Sequence, residues 1–410
     1  MKARITTFVL IIIFLSPFRS IAQEAPLLLE ILPSPSINGH GGAGTAFPSE
    51  DAFGFFYNPA HLGNIGNKIN FSLHVYPQKM SLFSSDKPEY KANAGVLAYQ
   101  FRNFKNEKIL NLGIGYLNSE QDVGEIIYRD SLGTELARAL NFEFYDFFAI
   151  GIGFEYFVDF NFGFTYKRIS SNRGLNVQPD LSLIRVQNEY TAVDYGMLIT
   201  LPLSRVVPYL LSDTYQESKF KPYASVSMAY AFKNYGDEIT YNVQLPPEPL
   251  PRSASLGYSV NLGIETSFQN KPIRLFDFIW TSQADDPLVK YQADGFSYQA
   301  FIGDINIGKN IINARGDNNV ISRKGLAIEL VDFFRYTWGS YSGGPYSRKN
   351  TNGFGIRTKA IFKLLQKKYQ RNFLSFIYER IDIAYHKSTY YLNNDSKTTY
   401  HGIAITISGW

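Results

Sequence analysis

The sequence predicts an all-β fold: a transmembrane antiparallel β-barrel of about fourteen strands with a small N-terminal plug. Three observations predict it. The chain opens on a secretory signal. Long segments alternate large apolar residues with Gly, Ser, Ala, Asn and Thr. The composition is 16% aromatic, with 33 Phe and 29 Tyr, and it contains no cysteine.

Residues 1–22 read as the signal peptide. Lys2 and Arg4 give the positive start, Phe8 to Leu15 an apolar run of eight residues, and Ser20-Ile21-Ala22 a small-x-small cleavage site. Eight apolar residues are few for a membrane-spanning helix, which favours a cleaved signal over the alternative of an N-terminal anchor. Cleavage removes Lys2, Arg4 and Arg19, leaving 37 basic against 36 acidic residues. So balanced a chain has no electrostatic footprint for nucleic acid.

The absence of cysteine removes disulfides, thiolate metal sites, thiol nucleophiles and a lipoprotein anchor. Beyond the signal no stretch reaches 18 consecutive apolar residues, so the membrane is not crossed by helices. Two classes survive: a large secreted β-protein or an outer-membrane barrel. Tyr and Phe suit strands, and Tyr and Trp suit a membrane interface.

Periodicity separates the two. Phe148, Ile150, Ile152, Phe154 and Tyr156 alternate with Ala149, Gly151, Gly153 and Glu155. Phe160, Phe162, Phe164 and Tyr166 repeat the pattern, as do residues 222–232 and 254–264. Period two gives each parity one face. A soluble sandwich would bury the apolar face and charge the other, yet here the second face is small and nearly uncharged. The segments run to 9–13 residues, near the 9–11 or so a tilted membrane strand needs and above the usual five or six of soluble strands. Ile152, Phe154, Val226, Tyr258, Val260 and Leu262 are therefore expected to face lipid. Glu155, Glu265, Arg357 and Lys359, on the other parity, are lumen candidates.

The expected strands are 68–76, 93–103, 109–118, 148–157, 160–169, 189–201, 220–232, 254–267, 296–304, 325–334, 353–362, 373–386 and 400–409. Bacterial barrels have even strand numbers, and 273–280 supplies the fourteenth. Long loops are expected at 119–147, 170–188, 202–219, 233–253, 305–324 and 338–352, with a tight turn at 158–159. Within them Ser131 to Leu140 has helical amphipathicity, and four prolines stiffen 246–251. Either could cover an opening, although an ordinary surface loop is the simpler reading of both. The apolar parity switches between Tyr378 and Ile381, which a β-bulge explains. The last strand ends on Trp410, off the face of Ile403, Ile405 and Ile407. A terminal aromatic of this kind resembles the signal read by the barrel-assembly machinery.

Residues 36–63 carry the most specific pattern. Gly39, Gly41, Gly42 and Gly44 are followed by Asp51-Ala52 and Asn58-Pro59-Ala60. Glycines permit positive φ and close backbone approach, Asp51 can cap a turn, and Pro59 pushes Asn58 toward an Asx turn. A phosphate loop needs a strand before it, and Leu32-Pro33-Ser34-Pro35 is none. The segment resembles the N-terminal region of the outer-membrane barrels grouped around the FadL fatty-acid channels and the PorV proteins of type IX secretion. His40 and His61 depart from that pattern.

The resemblance implies residues 23–63 as a periplasmic-side plug, with Gly41, Gly42, Gly44, Asp51, Asn58, Pro59 and Ala60 as its motif, and 64–410 as the barrel. It implies a passive channel for hydrophobic or amphipathic small molecules, without cofactor or metal. The alternative is a secretion accessory that binds secreted protein or the translocon. Outer-membrane lipid is the expected surrounding in both. Five scattered histidines, and His386 beside Ser388, make no catalytic signature, and Asp285-Asp286 reads as a loop turn.

Overall fold

The computed structural model describes residues 27–409 apart from 67–68, 83–87, 103–107, 130–131, 178–182, 204–218, 237, 240–246, 269–270, 293–294, 360, 362–379 and 393–395. The signal, Pro246, Phe376, Tyr378 and Trp410 lie outside the described residues, and with them the parity switch and the terminal aromatic.

Fourteen antiparallel strands close a barrel. They are β1 (Phe71–Val75), β2 (Glu89–Arg102), β3 (Lys108–Arg129), β4 (Glu135–Glu155), β5 (Asp159–Val177), β6 (Leu183–Pro202) and β7 (Phe220–Gly236). They continue as β8 (Ser253–Phe268), β9 (Lys271–Pro287), β10 (Ile321–Leu330), β11 (Phe334–Gly343), β12 (Tyr346–Arg357), β13 (Ile381–Tyr391) and β14 (Lys397–Ile407). Each pairs with the next, and β1 pairs with β14 from Phe71–Ile407 to Val75–Ile403, which leaves the sheet no edge. The piece Met80–Ser81 continues β1 along β2.

The strand number is as expected, with one member exchanged. Residues 296–304 are not in the wall: Gly295–Tyr298 is one arm of a small hairpin with Val289–Gln292, and a turn follows. Their place is taken by β11, which the sequence hides because Gly339, Ser340, Ser342 and Gly343 look like loop. Gly339 is needed where the plug presses on the wall, since a Cβ there would run into His40 and Gly41, and Gly343 where residues 316–320 press on it. The expected loop 338–352 is thus the end of β11, a turn, and β12.

Two further expected loops are largely strand. Residues 119–129 and 135–147 form the upper parts of β3 and β4, and of the expected helix the described residues 132–140 are a turn running into β4. Residues 170–188 belong mostly to β5 and β6. At 22 and 21 residues β3 and β4 exceed what the bilayer needs by about ten residues each. In these extensions the buried inner parity is polar, with Ser119, Gln121, Asn141 and Glu143, so the apolar period-two signal fades while the hydrogen-bonded ladder continues. Asp285 and Asp286 are also in a strand, β9, and not in a loop turn.

Outward parity carries the apolar belt. Phe148, Ile150, Phe154, Phe160, Phe162, Phe164, Tyr195, Met228, Leu262 and Trp338 are all exposed. Ile152, Val226, Tyr258 and Val260 are partly exposed on the same parity. A continuous apolar outer surface of this kind is suited to burial by lipid.

Inside, residues 27–66 fold as a Leu27–Glu30 turn of 3₁₀ helix and three short helices: α1 (Pro35–Asn38), α2 (Gly54–Tyr57) and α3 (His61–Ile65). Such short helices are not stable alone. Their apolar residues, among them Ile37, Phe53, Phe55 and Leu62, join one buried cluster with the wall residues Tyr90, Tyr145, Phe147, Tyr341 and Tyr400. The last helix runs two residues past the expected boundary at 63.

Candidate functional site

The site is the seat of the N-terminal segment in the barrel. It begins with glycine. Gly113 pairs with Gly151, Gly151 with Gly163, and Gly163 with Gly196, a continuous row across β3 to β6. The corner 58–63 lies along this row backbone to backbone. A Cβ on Gly113 would run into the Leu62 carbonyl, one on Gly163 into Pro59, and one on Gly196 into the Asn58 side chain. A Cβ on Gly151 would lie 2.6 Å from the Gly63 nitrogen. Across the barrel Gly325 pairs with Gly339, and their inner sides meet His40 and Gly41. Glycine within a strand costs stability and marks close approach of another backbone. Here that approach is the plug.

The motif residues hold the plug's shape. Gly41 and Gly42 take φ of 75° and 71°, where a side chain would strain the turn. Gly44 packs against the Tyr57 ring. Asn58 makes an Asx turn, its Oδ1 accepting from the Ala60 N–H at 3.0 Å. Its Nδ2 donates to Thr45 O within the plug and to Met197 O of β6, each at 3.1 Å. One side chain therefore fixes the corner and pins it to the wall, while Pro59 sets the extended backbone of Asn58.

Asp51 is buried at the centre. It accepts from the Phe53 N–H at 3.0 Å, from Ser36 Oγ at 2.9 Å and from Ser34 Oγ, and it lies 2.6 Å from His74 Nδ1 of β1. Burial alone would raise its pKa. The His74 ring and the hydrogen bonds outweigh that and hold the carboxyl well below the usual carboxylate range. The serines donate to the carboxylate and not to His74, so this is a structural clasp and not a hydrolytic relay.

Sequence reasoning missed several residues of the seat. Glu50 of the plug bridges Arg274 of β9 at 3.1 Å and Arg357 of β12 at 2.9 Å. Arg357 also contacts Glu329 at 3.2 Å and Asp382 at 2.6 Å, and Arg335 reaches Glu329 at 2.6 Å. A charge pair this deep is poor evidence of stability but strong evidence of fixed position. Beside it lies a cavity of about 40 Å³ lined by Ser36, Ser49, Glu50, Asp51, Arg335 and Arg357, room for about one water. The two histidines that depart from the family pattern are seat residues: His40 Nε2 bonds Thr281 Oγ1 of β9 and His61 Nε2 bonds Gly44 O, both at 2.9 Å.

The four lumen candidates fall in different places. Arg357 is inside, in the charge network. Glu155 accepts from Asn111 Nδ2 at 2.9 Å and from Gln100 Nε2 at 3.3 Å on the inner parity of β4. Glu265 is partly buried and stands in register with Lys221 and Arg274. Lys359 lies beyond the end of β12, where its backbone N–H donates to Asp382 at 3.2 Å.

Toward the end of the barrel away from Ile407, where Leu28 N–H donates to Glu143, the interior is aromatic. Tyr145 stacks on Phe147 at 4.2 Å and Tyr390 on Tyr341 at 4.8 Å. The Lys167 ammonium sits 4.5 Å from the Phe147 ring and is held by Asp194 at 2.7 Å and Asn234 at 2.6 Å.

A closed barrel with an apolar outer belt and a folded N-terminal segment seated in its lumen defines a plugged transmembrane β-barrel. No protein-family model matches the chain, and no characterised protein matches it in sequence. Among solved structures the chain is similar to the toluene transporter TodX of Pseudomonas putida, with 11% identity, a TM-score of 0.41, and 90% of this chain and 96% of that one covered. It is similar to the toluene transporter TbuX of Ralstonia pickettii, with 13% identity, a TM-score of 0.41, and 91% and 97% covered. A FadL homologue of Pseudomonas aeruginosa follows with 9% identity, a TM-score of 0.37, and 92% and 97% covered. At such identities and scores these likenesses assign neither ligand nor activity to this chain.

Proposed function

We propose that this protein is a passive outer-membrane channel for hydrophobic or amphipathic small molecules, closed at rest by residues 27–66. The observation that carries this reading is the character of the interior. A porin encloses a polar, water-filled lumen. Here plug and wall share one apolar and aromatic cluster containing Leu28, Ile31, Tyr145, Phe147, Tyr341 and Tyr400. An interior of that kind suits solutes that partition from water into apolar surroundings. Transport by this reading is passive and downhill.

A filled lumen also suits the second reading, a secretion accessory whose outer surface binds protein. Uptake separates the two. In asymmetric lipopolysaccharide vesicles, the intact protein should speed entry of a labelled long-chain fatty acid or toluene and leave a sugar excluded. If neither the intact protein nor a form lacking 38–61 speeds apolar uptake, the channel reading fails.

A further inference from the structure

The connection from β9 to β10 does not stand away from the barrel. It lies down on the outside of the wall. Odd-numbered residues of these strands point inward, since Thr281 bonds His40 of the plug and Asp285 pairs with the inward Arg323. Ser282, Asp286 and Ser322 therefore point outward, yet they are at most 2% exposed. The connection covers each of them. Ser282 Oγ donates to Ile311 O and Ser322 Oγ to Asn310 O, both at 2.5 Å, and Asp286 accepts the Asp304 N–H.

Apolar contacts complete the cover. Ile311 and Val320 pack on the outward Ala284, with Ile305, Leu256 and Tyr258 around them. The Phe301 ring lies 5.5 Å from that of Phe232, and Tyr230 donates its hydroxyl to Phe301 O at 2.5 Å.

The outer side of this flap is apolar too. Phe301, Ile302, Ile307 and Ile312 are 70%, 49%, 58% and 68% exposed. Its backbone is largely satisfied by turns, with bonds from Gly303 to Ala300, Asn310 to Asn306, Asn313 to Gly308 and Arg315 to Lys309. Few bare polar groups would therefore enter an apolar phase. Exposed Lys309 and Arg315 stand among the apolar residues, the mixture found at headgroup level.

Strand length explains why a flap is needed. Below it, the outward residues of β9 are Phe276, Phe278 and Trp280, which span only about 14 Å of strand. A tilted strand needs about 9–11 residues to cross the bilayer. The next outward positions, Ser282, Ala284 and Asp286, fall within that span, and a bare Ser or Asp there would be costly. The flap takes up their hydrogen bonds and offers isoleucine and phenylalanine instead.

The geometry points to a membrane-seated flap. Residues 300–313 lie at the headgroup–acyl boundary of the leaflet away from Ile407, the end of β14, with Phe301, Ile302, Ile307 and Ile312 among the acyl chains. The flap continues the lipid-facing belt of the neighbouring wall, where Met228 is itself 61% exposed, and lipid is the occupant of its outer side.

The chain has no cysteine, so single cysteines can be placed at will. Ile307→Cys, Ile312→Cys, Met228→Cys in the belt and Leu132→Cys at the β3–β4 tip would each carry bimane, in phosphatidylcholine liposomes brominated at acyl carbons near the headgroup. Heat-modifiable migration on gels confirms that each is a folded barrel. Positions 307 and 312 should be quenched about two-fold or more, as at 228, while 132 is not. Quenching at 307 and 312 no greater than at 132 would place the flap in water, or under a protein partner, and would overturn the assignment.

Discussion

Gly151 of the wall and Gly63 of the plug meet backbone against backbone: a Cβ on Gly151 would lie 2.6 Å from the Gly63 nitrogen, and one on Gly63 would run into the Ile152 carbonyl. Neither side has a flexible atom that can yield. Gly151→Val should therefore unseat the plug, at a cost of roughly 1–3 kcal/mol from overpacking, while the strand ladder survives. Single-channel recordings in planar bilayers should show larger or more frequent openings than the parent. A closed, parent-like trace would mean that the plug does not rest on the glycine row.

Asn58 is the second handle on the seat. Its side chain accepts one hydrogen bond and donates two, so Asn58→Ala leaves the Thr45 and Met197 carbonyls short of a donor. A loss of about 2–4 kcal/mol from the seated state is expected. Pro59→Ala should act in the same direction and more weakly. Removal of 38–61 should give an assembled barrel with the greatest conductance and the greatest sensitivity to detergent. Equal conductance across all three variants would contradict the plug.

Acid should loosen the plug through His40. Burial, with Arg335 nearby, lowers its pKa from 6.5 to about 3. Free of the seat, His40 binds a proton near pH 6.5; seated, it does not until about 3. Protons thus favour the released form, and seating weakens by about 1.4 kcal/mol for each unit the pH falls between those values. The effect is absent above pH 6.5. Conductance measured from pH 7 to 4 should rise in the parent and rise less in His40→Gln. An identical profile in both would assign the acid response elsewhere.

The lipid belt gives a prediction independent of the plug. Val260 stands between Trp280 and Val226 in the ladder, on the outward parity of β8. Val260→Arg should destabilise the barrel by roughly 2–4 kcal/mol if that position is near the bilayer midplane. Urea unfolding in liposomes checks this, and an unchanged midpoint would mean that Val260 does not face lipid.

How much of this was legible depends on what the residues had to satisfy. The lower wall was readable because lipid on one side and a packed lumen on the other force period two, as in Phe148 to Phe154. The upper wall was not, because its buried inner face is polar, as at Ser119, Gln121 and Glu143, while the other parity is mixed, with Glu120 and Glu125 beside Val123 and Ile127, so no apolar alternation marks it. Strand β11 was hidden in part by the plug: Gly339 is glycine for the sake of His40 and Gly41, a reason found about 300 residues away. The motif Asn58-Pro59-Ala60 was visible because it builds its own turn. Glu50 and His40 were not, since their partners Arg274, Arg357 and Thr281 come from strands far along the chain. No local pattern marks the polar outward residues Ser282 and Asp286 as covered.

The glycine seat also bears on the order of assembly. Helix α3 rests on β3, β4 and β5, and α1 rests on β12, β13 and β14. The segment made first is thus clasped between early strands and the last ones. The final seam, β14 against β1, is only five residue pairs long. A stopper gripped on both sides, with its backbone pressed into the staves, cannot be slipped in after the hoop is shut. The N-terminal segment must already stand in place while the wall is drawn round it, so a chain that loses the corner at Pro59 should be slow to close as well as quick to leak.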